Sequence, residues 1–295
     1  MWATWVFLGI CGAAEGEGVE PPAPTDRLYY TNANFGRVNP LGGVELFRVG
    51  WRHRLSDSDH ILLQDTYTFV AAEVMATPAY TRVGVFAEAQ FLAIARVYAQ
   101  YSGVGYYGNF SQVQSWDSNA VRYSDQTLEA SEGDAYATLG SVFTTGGTLR
   151  GAAGPLVIRS TVALTNQNLN LRDGDVVFYD QYWDRLAPDG GWMVLNDADL
   201  MVLAGKARLG ARHTFTDELG NSDPVDSAMA THRVGPLLAW EFSAKEAGAS
   251  FNHPTLFLIS QWWLAHPYRA GEEQSQAMPL VAVGFAFNGD LAVWN

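Results

Sequence analysis

The chain holds 295 residues, 48% of them hydrophobic, with 18 Lys+Arg set against 31 Asp+Glu for a formal charge of −13. That hydrophobic content excludes a disordered or fibrous chain; the acidic excess, with no basic stripe, excludes nucleic acid as a partner; and one cysteine, Cys11, excludes an internal disulfide framework or a multi-cysteine zinc site. Only 17% of residues are charged while 29 are Gly and the aromatics reach 10 Trp, 13 Tyr and 15 Phe, so something other than a charged shell must cover the surface.

Trp2 to Cys11 (WATWVFLGIC) has the length of the apolar core of a secretion signal, and Gly12-Ala13-Ala14 supplies small residues for cleavage, although no Lys or Arg precedes the core. Residues 1–14 are therefore read as a signal segment, the alternative being a buried first strand or helix. Cleavage there leaves no cysteine, which suits an oxidising compartment. The acidic, proline-bearing stretch Glu15 to Asp26 cannot build a core, and residues 15–42 are read as a spacer. No run reaches the roughly 20 apolar residues that a membrane-crossing helix needs.

From Val44 onward the dominant period is two, the mark of strands whose faces meet different solvents. In Tyr80 to Tyr101 the odd positions Val83, Val85, Ala87, Ala89, Phe91 and on to Tyr101 are apolar, while the even ones include Arg82, Glu88, Gln90, Arg96 and Gln100. Lys206 to Phe215, Arg233 to Ser243 and Val281 to Val293 repeat the pattern. Ten strands are expected, at 43–55, 60–72, 80–101, 134–149, 155–169, 174–184, 199–216, 229–246, 253–268 and 277–294, or twelve if Leu28 to Phe35 or part of 104–123 adds strands. Long polar connections are expected at 102–133, 217–228 and 269–276.

Long strands with one oily face suit lipid, where every backbone polar group must be satisfied within the protein and an all-β chain can span only as a closed barrel. A spanning strand needs about 9–11 residues, which most of these segments meet. Residues 43–295 are thus predicted to form a closed antiparallel up-and-down transmembrane β-barrel. Trp51, Tyr101, Trp183, Trp192, Trp262 and Trp263 are placed at the two membrane interfaces, where a ring with a polar edge is favoured.

With its signal-like start, acidic spacer, long alternating strands and richness in glycine and aromatics, the chain resembles the general class of Gram-negative outer-membrane β-barrel proteins. The resemblance covers residues 43–295 and is one of pattern, without a diagnostic motif. It implies residence in the bacterial outer membrane, contact with its lipid and an up-and-down topology, and leaves activity open. Such barrels usually end on an aromatic residue; here Trp294 is penultimate and Asn295 last.

The inward faces carry Arg48, Arg52, Arg82, Arg96, Arg159, Lys206, Arg208, Arg212 and Arg233, with Glu88 and Glu241 among them. Charged linings screen solutes, so the expected function is a narrow, substrate-restricted channel or passive transport protein for a small solute. The competing expectation is that these charges pair and fill the lumen without a passage. Two further readings belong to other classes. A membrane-embedded lipid-modifying hydrolase would use the lipid-facing His213 with Ser227 or Ser243, though the HxSN-type signature of outer-membrane phospholipases is absent. An adhesion or interaction barrel would meet a protein partner through the 102–133 loop, which contains Tyr106, Tyr107, Phe110 and Trp116. Asp57, Asp59 and His60 superficially resemble the acidic groups of the omptin rim proteases but share one turn. The acidic sets Asp173, Asp175, Asp180 and Asp217, Glu218, Asp223, Asp226 match no calcium-loop spacing. No catalytic residue is assigned, and neither a metal nor a cofactor is expected, since no GxGxxG, Walker loop, HExxH or CxxC occurs.

Overall fold

The structure, a computed structural model, describes residues 24–63, 65–220, 230–245, 248–269 and 278–294; the signal segment and the first part of the spacer lie outside them. Twelve antiparallel strands close into one barrel. They are β1 (Asp26–Val38), β2 (Gly42–Arg54), β3 (Tyr67–Ala76), β4 (Tyr80–Leu92), β5 (Ala95–Tyr107), β7 (Ala137–Ala153), β8 (Leu156–Leu169), β11 (Trp192–Ala204), β12 (Ala207–Leu219), β13 (Thr231–Glu241), β14 (Asn252–Ala265) and β15 (Leu280–Trp294). Each pairs with its neighbours in chain order, and β1 closes the ring on β15, from Asp26↔Trp294 to Val38↔Val281. Three short strands, β6 (Ser115–Trp116), β9 (Val177–Asp180) and β10 (Arg185–Pro188), form a separate sheet in the order β10-β9-β6, with a one-turn-and-a-half helix α1 (Asp125–Ala130) beside it.

Burial alternates along each barrel strand because successive side chains leave opposite faces. On β4, Val83 and Val85 are 58% and 61% exposed on the outside, whereas Arg82, Phe86 and Glu88 are buried inside. In water such an outer face would be a liability; against acyl chains it is a solvent match, and the closed ring leaves no unpaired strand edge. Among the described residues no helix is long and apolar enough to cross a membrane, so any crossing is made by strands.

The count of twelve rather than ten comes from four local corrections. The expected strand 80–101 is two strands reversed at Ala93-Ile94, and a register shift between Gln90 and Leu92 keeps odd positions outward on both sides, so the alternation runs through the turn unbroken. The expected strand 199–216 is likewise two, reversed at Gly205-Lys206, where Gly205 takes the positive φ of +58° that a side chain would strain. The segment expected at 174–184 is not in the wall: Val177–Asp180 is buried on both faces, as a strand inside the lumen must be. The spacer also ends earlier than residue 42, because Asp26–Val38 is the first wall strand. Its outer face is polar, and it is satisfied locally: Asn34 donates to Asn32 Oδ1 (2.6 Å), and Asn32 donates to Glu45 Oε1 (3.0 Å) on β2.

The two barrel ends differ. The end where β1 begins and β15 finishes, the base, has three two-residue turns, at 93–94, 154–155 and 205–206, besides connections at 55–66 and 242–251. The other, the loop end, carries the connections 108–136, 170–191, 220–230 and 266–279 together with short turns at 39–41 and 77–79.

Candidate functional site: a plugged lumen

From the base to the middle of the barrel, the inward face is a set of ion pairs held between wall strands. Arg208 on β12 pairs with Glu241 on β13, and His253 Nδ1 lies 2.8 Å from the other carboxylate oxygen. Higher up, Arg212 Nε donates to Asp199 Oδ1 (2.7 Å) and its Nη1 to Asp197 Oδ2 (3.3 Å), while Arg159 Nε donates to Asp199 Oδ2 (2.9 Å). Strand register alone brings these four together, since Asp199 lies opposite Arg159 on β8 and opposite Arg212 on β12. Across the lumen, Arg48 Nε donates to Glu73 Oε2 (2.6 Å), and Arg96 Nη1 stands 3.6 Å from Glu88 Oε2, which also accepts from the Tyr67 hydroxyl through its other oxygen. The Arg52 guanidinium lies over the Tyr67 ring at 3.8 Å, a cation–π contact. Arg82 donates to Gln167 Oε1 at 3.1 Å.

Lys206, expected in the lumen, is instead exposed in the turn at the base, donating to the Phe242 carbonyl at 2.9 Å. Its position in a two-residue reversal, rather than in a strand, removes the alternation argument. The acidic partners Glu73, Asp197 and Asp199 were missed, although Asp197 and Asp199 sit two apart on an alternating segment, the spacing that points both to one face.

The interface aromatics divide. Trp51 is 46% exposed at the base, stacked on Trp294 with centroids 4.8 Å apart and donating its indole N–H to Asp26 Oδ1 (2.8 Å). Trp192 and Trp262 are exposed outward toward the loop end, and Tyr101 is exposed at mid-strand. Trp183 and Trp263 are corrections, both buried inside. Trp263 follows Trp262 on one strand and must take the opposite face; there it lies under Arg233, 5.0 Å from its guanidinium. Trp183 sits at the tip of the β9–β10 hairpin.

That hairpin is the plug. Phe178 and Ala187 pack with inner-wall residues Leu46, Met75 and Val104, and Trp183 packs with Tyr29, Phe69 and Met193 deeper in the lumen. The 102–133 region therefore does not project as a free loop: Trp116 on β6 belongs to this inner sheet, Tyr106 is buried in the wall, and Tyr107 and Phe110 are exposed. Asp180 accepts at Oδ1 from the backbone N–H of Tyr182 (2.8 Å) and so shapes the hairpin tip, while its Oδ2 accepts from Gln167 (2.5 Å) on β8. Arg37 on β1 donates to the carbonyls of Gln181 and Tyr182.

One buried cluster ties the hairpin to the loop end. Asp184 accepts from Arg269 and from the Tyr179 hydroxyl (2.8 Å); Arg269 also reaches Asp125 (2.7 Å) at the start of α1 and Asn39 (2.9 Å) between β1 and β2. His266 Nε2 donates to the Asp184 carbonyl (2.7 Å), and its Nδ1 accepts from the backbone N–H groups of Tyr268 and Arg269 (3.1 Å each), so both ring nitrogens are satisfied in the neutral form. Burial pushes the Asp184 carboxyl up, but Arg269 and His266 outweigh it and hold it below the ordinary carboxylate value. Burial pushes His266 below its ordinary value against the pull of Asp184. This cluster had no sequence signal, since its members are contributed by four separate connections.

Beside the hairpin, against β1, β2, β14 and β15, lies a cavity of about 540 Å³, lined by Phe35, Arg37, Val44, Tyr182, Arg233, Phe257, Gln261 and Leu280 among others. Among the described residues no group of three His, Cys, Asp or Glu could hold a metal ion. On the outer wall His213 Nε2 meets His232 Nδ1 at 3.2 Å; Ser227 lies outside the described residues.

A closed ring of twelve strands with an apolar exterior and a charged, plugged interior defines an outer-membrane β-barrel. No protein-family model matches the chain, and no curated protein matches it. Among solved structures it is similar to the translocator domain of the autotransporter NalP from Neisseria meningitidis (10% identity over 92% of this chain and 89% of that one, TM-score 0.39). It is also similar to OmpT, an outer membrane protein of Vibrio cholerae (9%, 93% and 100%, TM-score 0.35), and to OprD from Pseudomonas aeruginosa (6%, 94% and 98%, TM-score 0.29). At these identities nothing about solute or activity follows from the likeness.

Proposed function

We propose that this protein is a narrow, gated outer-membrane channel that admits a small solute when the β9–β10 hairpin leaves the lumen, with the inward arginines lining the path. The observation that supports the reading is how the hairpin is held. Among the described residues it makes no ladder with any wall strand; its sheet partner is β6, itself part of a connection, and its polar ties elsewhere are made through side chains, among them Arg37, Gln167, His266 and Arg269 and the bond from its own Arg185 to the Thr216 carbonyl on β12 (3.2 Å). The closed ring offers no strand edge for the hairpin to join, so packing and side-chain ties hold it, and these can be released without opening the barrel. Long connections on outer-membrane barrels face outward, so the plug guards the external mouth.

The test is conductance in planar bilayers. Intact protein is expected to be nearly silent, and a variant with residues 177–188 replaced by a short Gly-Ser linker is expected to conduct. Silence of that variant, with heat-modifiable gel migration proving its barrel intact, overturns the reading.

A further inference from the structure

The cavity beside the hairpin is oilier than a path for a polar solute requires. Its walls include Phe35 on β1, Val44 on β2, and Phe257 and Ile259 on β14. Residue 284 on β15 must be glycine for Phe257 to lie where it does, because a Cβ there would stand 1.9 Å from its ring. Phe35 packs on Phe257 with centroids 4.8 Å apart, and Ala33, Leu237 and Ala286, all buried, continue that packing. The volume of about 540 Å³ falls within the range of about 300–1,000 Å³ typical of small-molecule sites.

Two guanidiniums share this apolar space. Arg233 is 2% exposed and donates Nε to Gln261 Oε1 at 3.0 Å; Arg37 is held by the hairpin carbonyls, and both line the cavity. They repel one another, and the charges of Asp184 and Asp197 attract Arg233. Glu132, from the loop-end connection 108–136, also lines the cavity, together with Phe110 and Ser111 of the same connection. An anion between the two arginines would relieve their repulsion through charge-assisted, bidentate hydrogen bonds, the geometry guanidinium offers best to carboxylates.

We propose that this cavity binds an amphipathic carboxylate, its apolar body against Phe35, Phe257 and Ile259 and its carboxylate between Arg37 and Arg233. This names the solute class of the gated path and in that respect rests on the reading above, although binding itself requires no passage. The Arg37 side chain then has two competing sets of acceptors, the hairpin carbonyls and the ligand, so occupancy loosens one tie of the plug.

The probe is dodecanoate, titrated calorimetrically into the full chain in phosphatidylcholine nanodiscs, beside dodecanol, which keeps the tail without the charge, and acetate, which keeps the charge without the tail. Saturable binding of dodecanoate is expected, with dodecanol at least about tenfold weaker, as loss of one charge-assisted contact implies, and acetate at least about tenfold weaker for want of the buried tail. Arg37→Gln should weaken dodecanoate about tenfold, and Ile259→Trp, which fills the cavity, should abolish the saturable phase while empty-nanodisc partitioning persists. Equal affinity for dodecanol, or unchanged binding by a folded Ile259→Trp barrel, overturns the site. Saturable dodecanoate binding to a barrel that stays silent after hairpin replacement would sink the gated path and leave the site standing; conduction without saturable binding would do the reverse.

Discussion

The lumen has two halves that carry similar charges in different ways. Toward the base, Arg208–Glu241 and the Arg159–Asp199–Arg212 group are mounted on neighbouring strands, so the backbone ladder sets their separation and no side chain can leave without breaking the wall. At the loop end, Asp184, Arg269, Asp125 and His266 are mounted on connections, and the bonds among them are what fix those connections. The same chemistry is thus scaffold-limited in one half and self-supporting in the other. Reversible change belongs to the second half, since breaking it leaves twelve paired strands untouched.

Removing one charge from the wall-borne group should have the largest effect. Arg212→Ala leaves Asp197 and Asp199 without their shared partner, and loss of one member of a buried pair costs about 3–5 kcal/mol. Urea unfolding followed by gel mobility should show a clearly destabilised barrel; a midpoint equal to that of the intact protein would dissolve the contrast between the halves.

Arg269→Ala should spare the barrel, leaving its heat-modifiable migration unchanged, yet free the hairpin, because Asp184 then seeks water. Limited proteolysis between residues 177 and 188 and a rise in bilayer conductance are the readouts. A variant as resistant and as silent as the intact protein would mean that packing of Phe178 and Trp183, not the latch, holds the plug.

The smallest effect is the response to pH. The folded value of His266 lies below its free value of about 6.5, so the latched state is fully stable above that pH and loses stability as pH falls through it toward the folded value. Protonation would set an N–H at Nδ1 against two backbone donors. Asp184 is also depressed, so its contribution persists down to about pH 4 and is lost below, as pH falls through its folded value. Proteolytic release should therefore rise in two steps on acidification, the upper one vanishing in His266→Gln; a single step in the intact protein, unaltered by that substitution, would remove His266 from the latch.

How much of this was legible depended on whether a feature was written along one strand or across several. Period-two alternation located most of the wall and put Arg48, Arg96, Arg159 and Arg212 on its inner face, because facing is a local property. The turn at Ala93-Ile94 was invisible because the adjacent register shift preserves parity, and β1 was legible only as the alternative strand Leu28 to Phe35, because Asn32 and Asn34, whose amides are satisfied by one another and by Glu45, interrupt its outer apolar face. Trp183 misled because an aromatic-rich run reads alike whether it borders lipid or fills a lumen. The latch lay beyond reach altogether: Arg269 and Asp125 meet only after the ring has closed.

The pairing of β1 with β15 has a bearing on how the molecule comes into being. Every other wall seam joins strands adjacent in the chain order of the wall, whereas this one joins its first and last strands and carries the heaviest loop-closure entropy of all. Until it forms, two exposed strand edges are open templates for stray pairing. Biogenesis therefore hinges on delivering the final strand to a waiting first one, and variants that weaken this seam would be lost to aggregation before any property of the finished barrel could be measured.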